Sequence, residues 1–128
     1  MAIDRGRALT ARLFVYGTLM PGEERWVFLA PLAAPARQER AEAAGYLYRT
    51  PHGWPAAVFD AAAHTAVPGL VVTLLEPARA FPVLDEVEGT GTGLFERRLV
   101  TTTAGQCWAY HWPGRTAGFQ PITAWPGP

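Results

Sequence analysis

Leu13-Phe14-Val15-Tyr16-Gly17-Thr18-Leu19-Met20-Pro21-Gly22 is an apolar run that ends in a turn of small residues. Such a turn can bring its own N–H groups close to a ligand, because Gly17 has no side chain to block approach and Thr18 adds a hydroxyl. Far along the chain, Leu84-Asp85-Glu86-Val87-Glu88-Gly89 supplies one buried carboxylate that could work opposite that turn.

Outward from this stretch the chain reads as short strands and turns. Arg12 to Tyr16 form a first strand, and residues 1–10 before it form a loosely held tail. Arg25 to Leu32 read as a short helix, with Trp26, Leu29 and Leu32 at helical spacing. Ala41 to Tyr48 and Pro55 to Phe59 are strands on either side of a turn marked by Pro51 and Gly53. Leu70 to Leu75 are a buried β-branched strand that Glu76-Pro77 stops, and a helix follows through Glu88, with Pro82 either starting or kinking it. Arg97 to Thr103 and Gln106 to Trp112 make a hairpin about Ala104-Gly105. The expected fold is α+β: a small, mostly antiparallel or mixed β-barrel with a few short helices, in a single domain spanning 11–128.

Composition narrows the chemistry. The 128 residues carry 11 basic and 11 acidic side chains, so no general attraction to nucleic acid or an anionic membrane is expected. Prolines break every apolar run short of a bilayer span, and the first residues lack the hydrophobic stretch of a secretory signal. A cytoplasmic location is the expectation, and the lone Cys107 suits a reducing compartment. The sequence contains no Ser, Lys or Asn, which excludes serine nucleophiles, lysine Schiff bases and Walker-type phosphate loops. His52, His64 and His111 lack metal-ligand spacing, so no metal is expected. Cys107 and His111 lie four residues apart on one strand, about 13 Å, too far to act as nucleophile and base.

On the helix before Gly89, Phe81, Leu84 and Glu88 share one face, whereas Asp85 and Glu86 are expected to lie in water. Gly89 suits a left-handed helix end. A carboxylate on an apolar face is pushed towards the range of a general base at neutral pH. The competing expectation is that Glu88 sits beside solvent or pairs with Arg97 or Arg98. Alternation puts those two arginines on opposite faces of their strand.

Together, Tyr16-Gly17-Thr18-Leu19, Leu84-Asp85-x-x-Glu88-Gly89 and Phe95-Glu96-Arg97 resemble the γ-glutamylcyclotransferase-like family, which includes γ-glutamylamine cyclotransferases and AIG2-like proteins. Gly45-Tyr46-Leu47-Tyr48, Trp54-Pro55-Ala56, Val67-Pro68-Gly69-Leu70, Cys107-Trp108-Ala109-Tyr110 and Pro121-Ile122-Thr123-Ala124-Trp125 extend the resemblance over nearly the whole chain. It implies that Tyr16, Gly17, Thr18 and Leu19 form the substrate-binding loop and that Glu88 is the acid/base. Arg97 and Tyr110 are candidate supporting residues. The implied reaction closes a γ-glutamyl amine or amide to 5-oxoproline with release of the amine, and uses no cofactor. The resemblance leaves two alternatives open, a small-molecule binding module on the same fold and a related amide-transfer or lyase activity. Phe95 stands where the family often has tyrosine.

Overall fold

In the first strand, β1 (Arg12–Val15), alternate residues face opposite ways, and each way is apolar. Phe14, and Tyr16 just beyond the strand, join Ala41, Val71, Val100 and Cys107 in one buried cluster. Leu13 and Val15 join Leu29, Ala80, Phe81 and Leu84 in another. A strand buried on both faces stands as a wall between two cores, and full burial of a Leu or Phe side chain contributes about 1.5–3 kcal/mol.

A computed structural model describes residues 11–126; the expected tail at 1–10 lies outside the described residues. The remaining strands are β2 (Ala33–Arg49), β3 (Pro55–Phe59), β4 (Ala66–Leu74), β5 (Glu96–Thr102), β6 (Gly105–His111) and β7 (Gln120–Ile122). Strand pairing runs β2-β4-β1-β6-β5 and returns to β2, so five strands close into a barrel. Only the β1–β6 seam among them is parallel. The cluster containing Phe14 draws on all five strands and fills the barrel. The cluster containing Leu13 lies outside the wall, beneath α1 (Trp26–Leu29) and α2 (Pro77–Glu88). This is the α+β barrel that the sequence leads one to expect.

The boundaries differ where proline intervenes. β2 begins eight residues earlier than the expected Ala41, and its register against β4 breaks between Ala33 and Gln38, across Pro35. A residue without an N–H cannot complete the ladder, so the strand bulges there and continues. β4 begins at Ala66 rather than Leu70 and takes in Pro68, paired with Glu42. The expected helix at 25–32 is split: Pro31 converts its second half, Ala30–Leu32, to a 3-10 turn. The hairpin pairs Thr102 with Gly105, so its turn residues are Thr103 and Ala104, one position earlier than expected. β7 has no counterpart in the sequence reading; it pairs with the far end of β2, as β3 does, outside the barrel.

Two contacts fix the loop that follows β1. A Cβ at Gly17 would collide with the ring of Pro55, so the glycine serves close packing of the loop on β3. A Cβ at Gly69 would collide with the Val15 carbonyl oxygen and the Phe14 ring, so β4 can lie against the end of β1 only without a side chain there. Gly17 and Gly69 thus let β3 and β4 approach the end of β1 closely.

Candidate active site

The loop Gly17–Leu19, the C-terminal end of α2 and the start of β5 surround a cavity of about 70 Å³. Its polar side comprises Tyr16, Gly17, Thr18, Arg25 and Glu88. Its apolar side includes Trp54, Leu94 and Phe95. All four residues of the Tyr16-Gly17-Thr18-Leu19 stretch thus line the same space as Glu88.

Helix geometry delivers the carboxylate. Ala80, Phe81, Leu84 and Glu88 form the buried face of α2, and Gly89 closes the helix with φ 72°, in the left-handed region. Glu88 is therefore carried into the interior by the same periodicity that buries its apolar neighbours. Its partner is Arg25, whose Nη1 donates to Glu88 Oε2 at 3.2 Å and to the Val87 carbonyl at 3.2 Å. The expected pairing with Arg97 or Arg98 does not occur. Arg97 is occupied by Asp85, and Arg98 bonds Glu96 at the surface.

Burial lifts the Glu88 carboxyl from 4.5 to about 7, with the Arg25 cation and its hydrogen bond pulling the other way. The proton is held more tightly in the folded than in the unfolded state. This contribution to stability is complete below pH 4.5 and is lost as pH rises through about 7. With the side chain 10% exposed, the shift corresponds to about 3 kcal/mol. In urea titrations, Glu88→Gln should match wild type near pH 4.5 and gain on it progressively up to pH 8; a stability difference independent of pH would contradict this account.

The loop offers donors. Among the described residues, the N–H groups of Gly17, Thr18 and Leu19 donate to no other protein group, whereas the Thr18 and Gly17 carbonyls accept from Arg25 and Met20. N–H groups without a protein acceptor, in residues that line a cavity, are of the kind that can meet a negatively charged oxygen. Tyr16 differs from its loop neighbours. Its hydroxyl donates to the Tyr110 carbonyl at 2.6 Å and accepts weakly from Ala57 N–H, so its side chain is committed to the barrel interior. Burial, with the nearby Glu88 charge adding to it, pushes the Tyr16 phenol far above its ordinary range.

Asp85 is not in water. Its carboxylate accepts from Arg97 Nε at 3.0 Å, Arg97 Nη2 at 3.4 Å and the Tyr110 hydroxyl at 2.7 Å. The Arg97 guanidinium lies over the rings of Phe81 and Trp108, 4.0 and 4.7 Å from their centroids. Arg97 and Tyr110 thus meet at Asp85, one helical turn before Glu88, and of the two only Tyr110 lines the cavity. Phe95 packs edge-on against Trp112 and tilted against Trp54, completing an aromatic wall.

The other residues weighed in the sequence take structural places. His111 Nδ1 accepts from Phe59 N–H at 3.1 Å, and burial lowers its pKa. Cys107 is fully buried inside the barrel. Among the described residues no group of three His, Cys, Asp or Glu side chains could hold a metal, and no helix is long and apolar enough to cross a membrane.

Residues 13–125 match the model of the family described as gamma-glutamyl cyclotransferase, AIG2-like. Comparison with curated proteins finds no match. Among solved structures, an AIG2-like protein of Mus musculus superposes with a TM-score of 0.73 at 20% identity, covering 92% of this chain and 90% of that one. A uropathogenic Escherichia coli-specific protein gives 0.71 at 22% identity, covering 88% and 87%. An uncharacterised protein of Pyrococcus horikoshii gives 0.67 at 23%, covering 88% and 86%. At these identities the likeness is one of fold.

Proposed function

The chain belongs to the gamma-glutamyl cyclotransferase, AIG2-like family, and on that premise we propose that it converts a small γ-glutamyl amine or amide to 5-oxoproline and a free amine. The observation that carries this reading is the buried Glu88 carboxyl, titrating near 7, in one cavity with the unpaired loop N–H groups.

Glu88 takes a proton from the substrate's α-ammonium group, making that nitrogen nucleophilic. The nitrogen attacks the γ-carbonyl carbon of the same molecule and closes a five-membered ring. Negative charge that develops on the carbonyl oxygen is met by the N–H groups of Gly17, Thr18 and Leu19. Glu88 returns that proton to the departing amine as the original amide bond breaks. It then takes the second proton from the ring nitrogen, which carries two hydrogens after attack, and passes it to the released amine, leaving a neutral lactam and an ammonium product. One substrate yields 5-oxoproline and one amine, with no water consumed and no covalent enzyme intermediate. The enzyme's task is modest because the nucleophile is already tethered to the carbon it attacks.

The direct test is to incubate the protein with a panel of γ-glutamyl amines and amides and measure 5-oxoproline. Release from at least one member is expected. Saturable binding across the panel with no release would favour the binding-module reading.

A further inference from the structure

Among the described residues, Arg25 is the only cation lining the cavity and Glu88 the only anion. Its side chain is 31% exposed against 10% for Glu88, so the guanidinium stands nearer solvent and the carboxylate deeper. Both hydrogen bonds of the guanidinium leave from Nη1; among the described residues, Nε and Nη2 donate to nothing. That leaves an edge able to receive a carboxylate through two parallel N–H groups. The residue is also tied to the loop, its backbone N–H donating to the Thr18 carbonyl at 2.8 Å.

The cavity, at about 70 Å³, falls well short of the roughly 300 Å³ or more of ordinary ligand pockets, so a ligand must displace something at its boundary. The Arg25–Glu88 contact is the polar part of that boundary open to exchange. An amino-acid head group carries a carboxylate and an ammonium side by side. The cavity carries a guanidinium and a carboxylate side by side. Entry can therefore exchange one ion pair for two, each charge finding a new opposite partner without being left bare.

We propose that Arg25 determines specificity by leaving Glu88 to bind the α-carboxylate of the γ-glutamyl group, which frees Glu88 to take the α-ammonium proton. This inference rests on the γ-glutamyl reading of the cavity. The Arg25 cation favours the ionised form of Glu88, so its departure to the ligand leaves Glu88 a stronger base when substrate is in place.

The test compares 5-oxoproline with 2-pyrrolidinone, the same ring without the carboxylate, by isothermal titration calorimetry on wild type and Arg25→Gln at pH 6. This is below the value of about 7 to which burial lifts Glu88, so that no bare carboxylate remains when Arg25 turns to a ligand without an ammonium. Glutamine retains a donor for the Val87 carbonyl, and melting curves check that the variant is folded. Wild type should bind 5-oxoproline about tenfold or more tightly than 2-pyrrolidinone, as expected of a charge-assisted bidentate contact. Arg25→Gln should bring that ratio close to one, with Arg25→Lys in between, and should move the pH midpoint of activity upward. An unchanged ratio in Arg25→Gln, or equal affinities in wild type, would overturn the role of Arg25 and leave the γ-glutamyl reading standing. Failure of wild type to bind 5-oxoproline, together with no release from the panel, would overturn both.

Discussion

Glu88→Gln is expected to reduce 5-oxoproline release by about 10²–10⁴-fold, the usual contribution of a positioned acid–base group, while leaving the fold intact. The amide has the shape of the acid and can still accept from Arg25, so the cavity keeps its form. It cannot carry a proton between the α-ammonium and the leaving amine. The pH dependence follows with a definite sign. In the proposed reaction the free protein needs Glu88 ionised, and burial lifts its carboxyl to about 7, so wild-type kcat/KM should fall as pH drops through that value. Initial rates at substrate well below KM across the pH range give the wild-type profile, and rates at saturating substrate, with the variant's melting curve beside them, measure the loss in Glu88→Gln. Undiminished release by the variant would remove Glu88 from the reaction.

Asp85→Ala should destabilise the protein by about 2–3 kcal/mol in urea unfolding, somewhat below the cost of breaking a fully buried pair because both partners are about a quarter exposed. The methyl group leaves the Arg97 guanidinium between Phe81 and Trp108 without its counter-charge, and the Tyr110 hydroxyl without an acceptor. Asp85→Asn restores an acceptor for Tyr110 and should recover about half of the loss. Because Asp85 and Glu88 are one turn apart on α2, activity should fall in Asp85→Ala as well, through displacement of the helix end, and recover in parallel with stability in Asp85→Asn. A silent alanine variant would show that the three-residue network contributes nothing.

These two carboxylates differ in how far the sequence discloses them. Glu88 was legible because its burial follows from local periodicity: Phe81, Leu84 and Glu88 recur on one helical face, and Gly89 marks where the helix must stop. Asp85 was not, because what draws it inward lies 12 and 25 residues further on, on strands whose faces meet α2 only after the barrel closes. Arg25 was hidden for the same reason, 63 residues from its partner. The barrel itself was legible from strand alternation and turns, although Pro35 and Pro68 concealed how far β2 and β4 extend. In the sequence Gly17 signals open space for a ligand. The structure gives it a second reason, the ring of Pro55 lying where its side chain would be.

The parallel seam between β1 and β6 has a kinetic consequence. Leu13 pairs with Trp108, and the Tyr16 hydroxyl reaches a carbonyl 94 residues away, so the wall behind the cavity joins segments from near opposite ends of the described chain. Contacts of such separation are entropically costly to form first. During synthesis the loop after β1 emerges early and meets Pro55 and β4 first, whereas the β6 side of the wall is missing until β6 has left the ribosome. The cavity is therefore among the last features to mature, and a chain arrested before Trp108 would display the loop after β1 without the β6 part of the wall behind it.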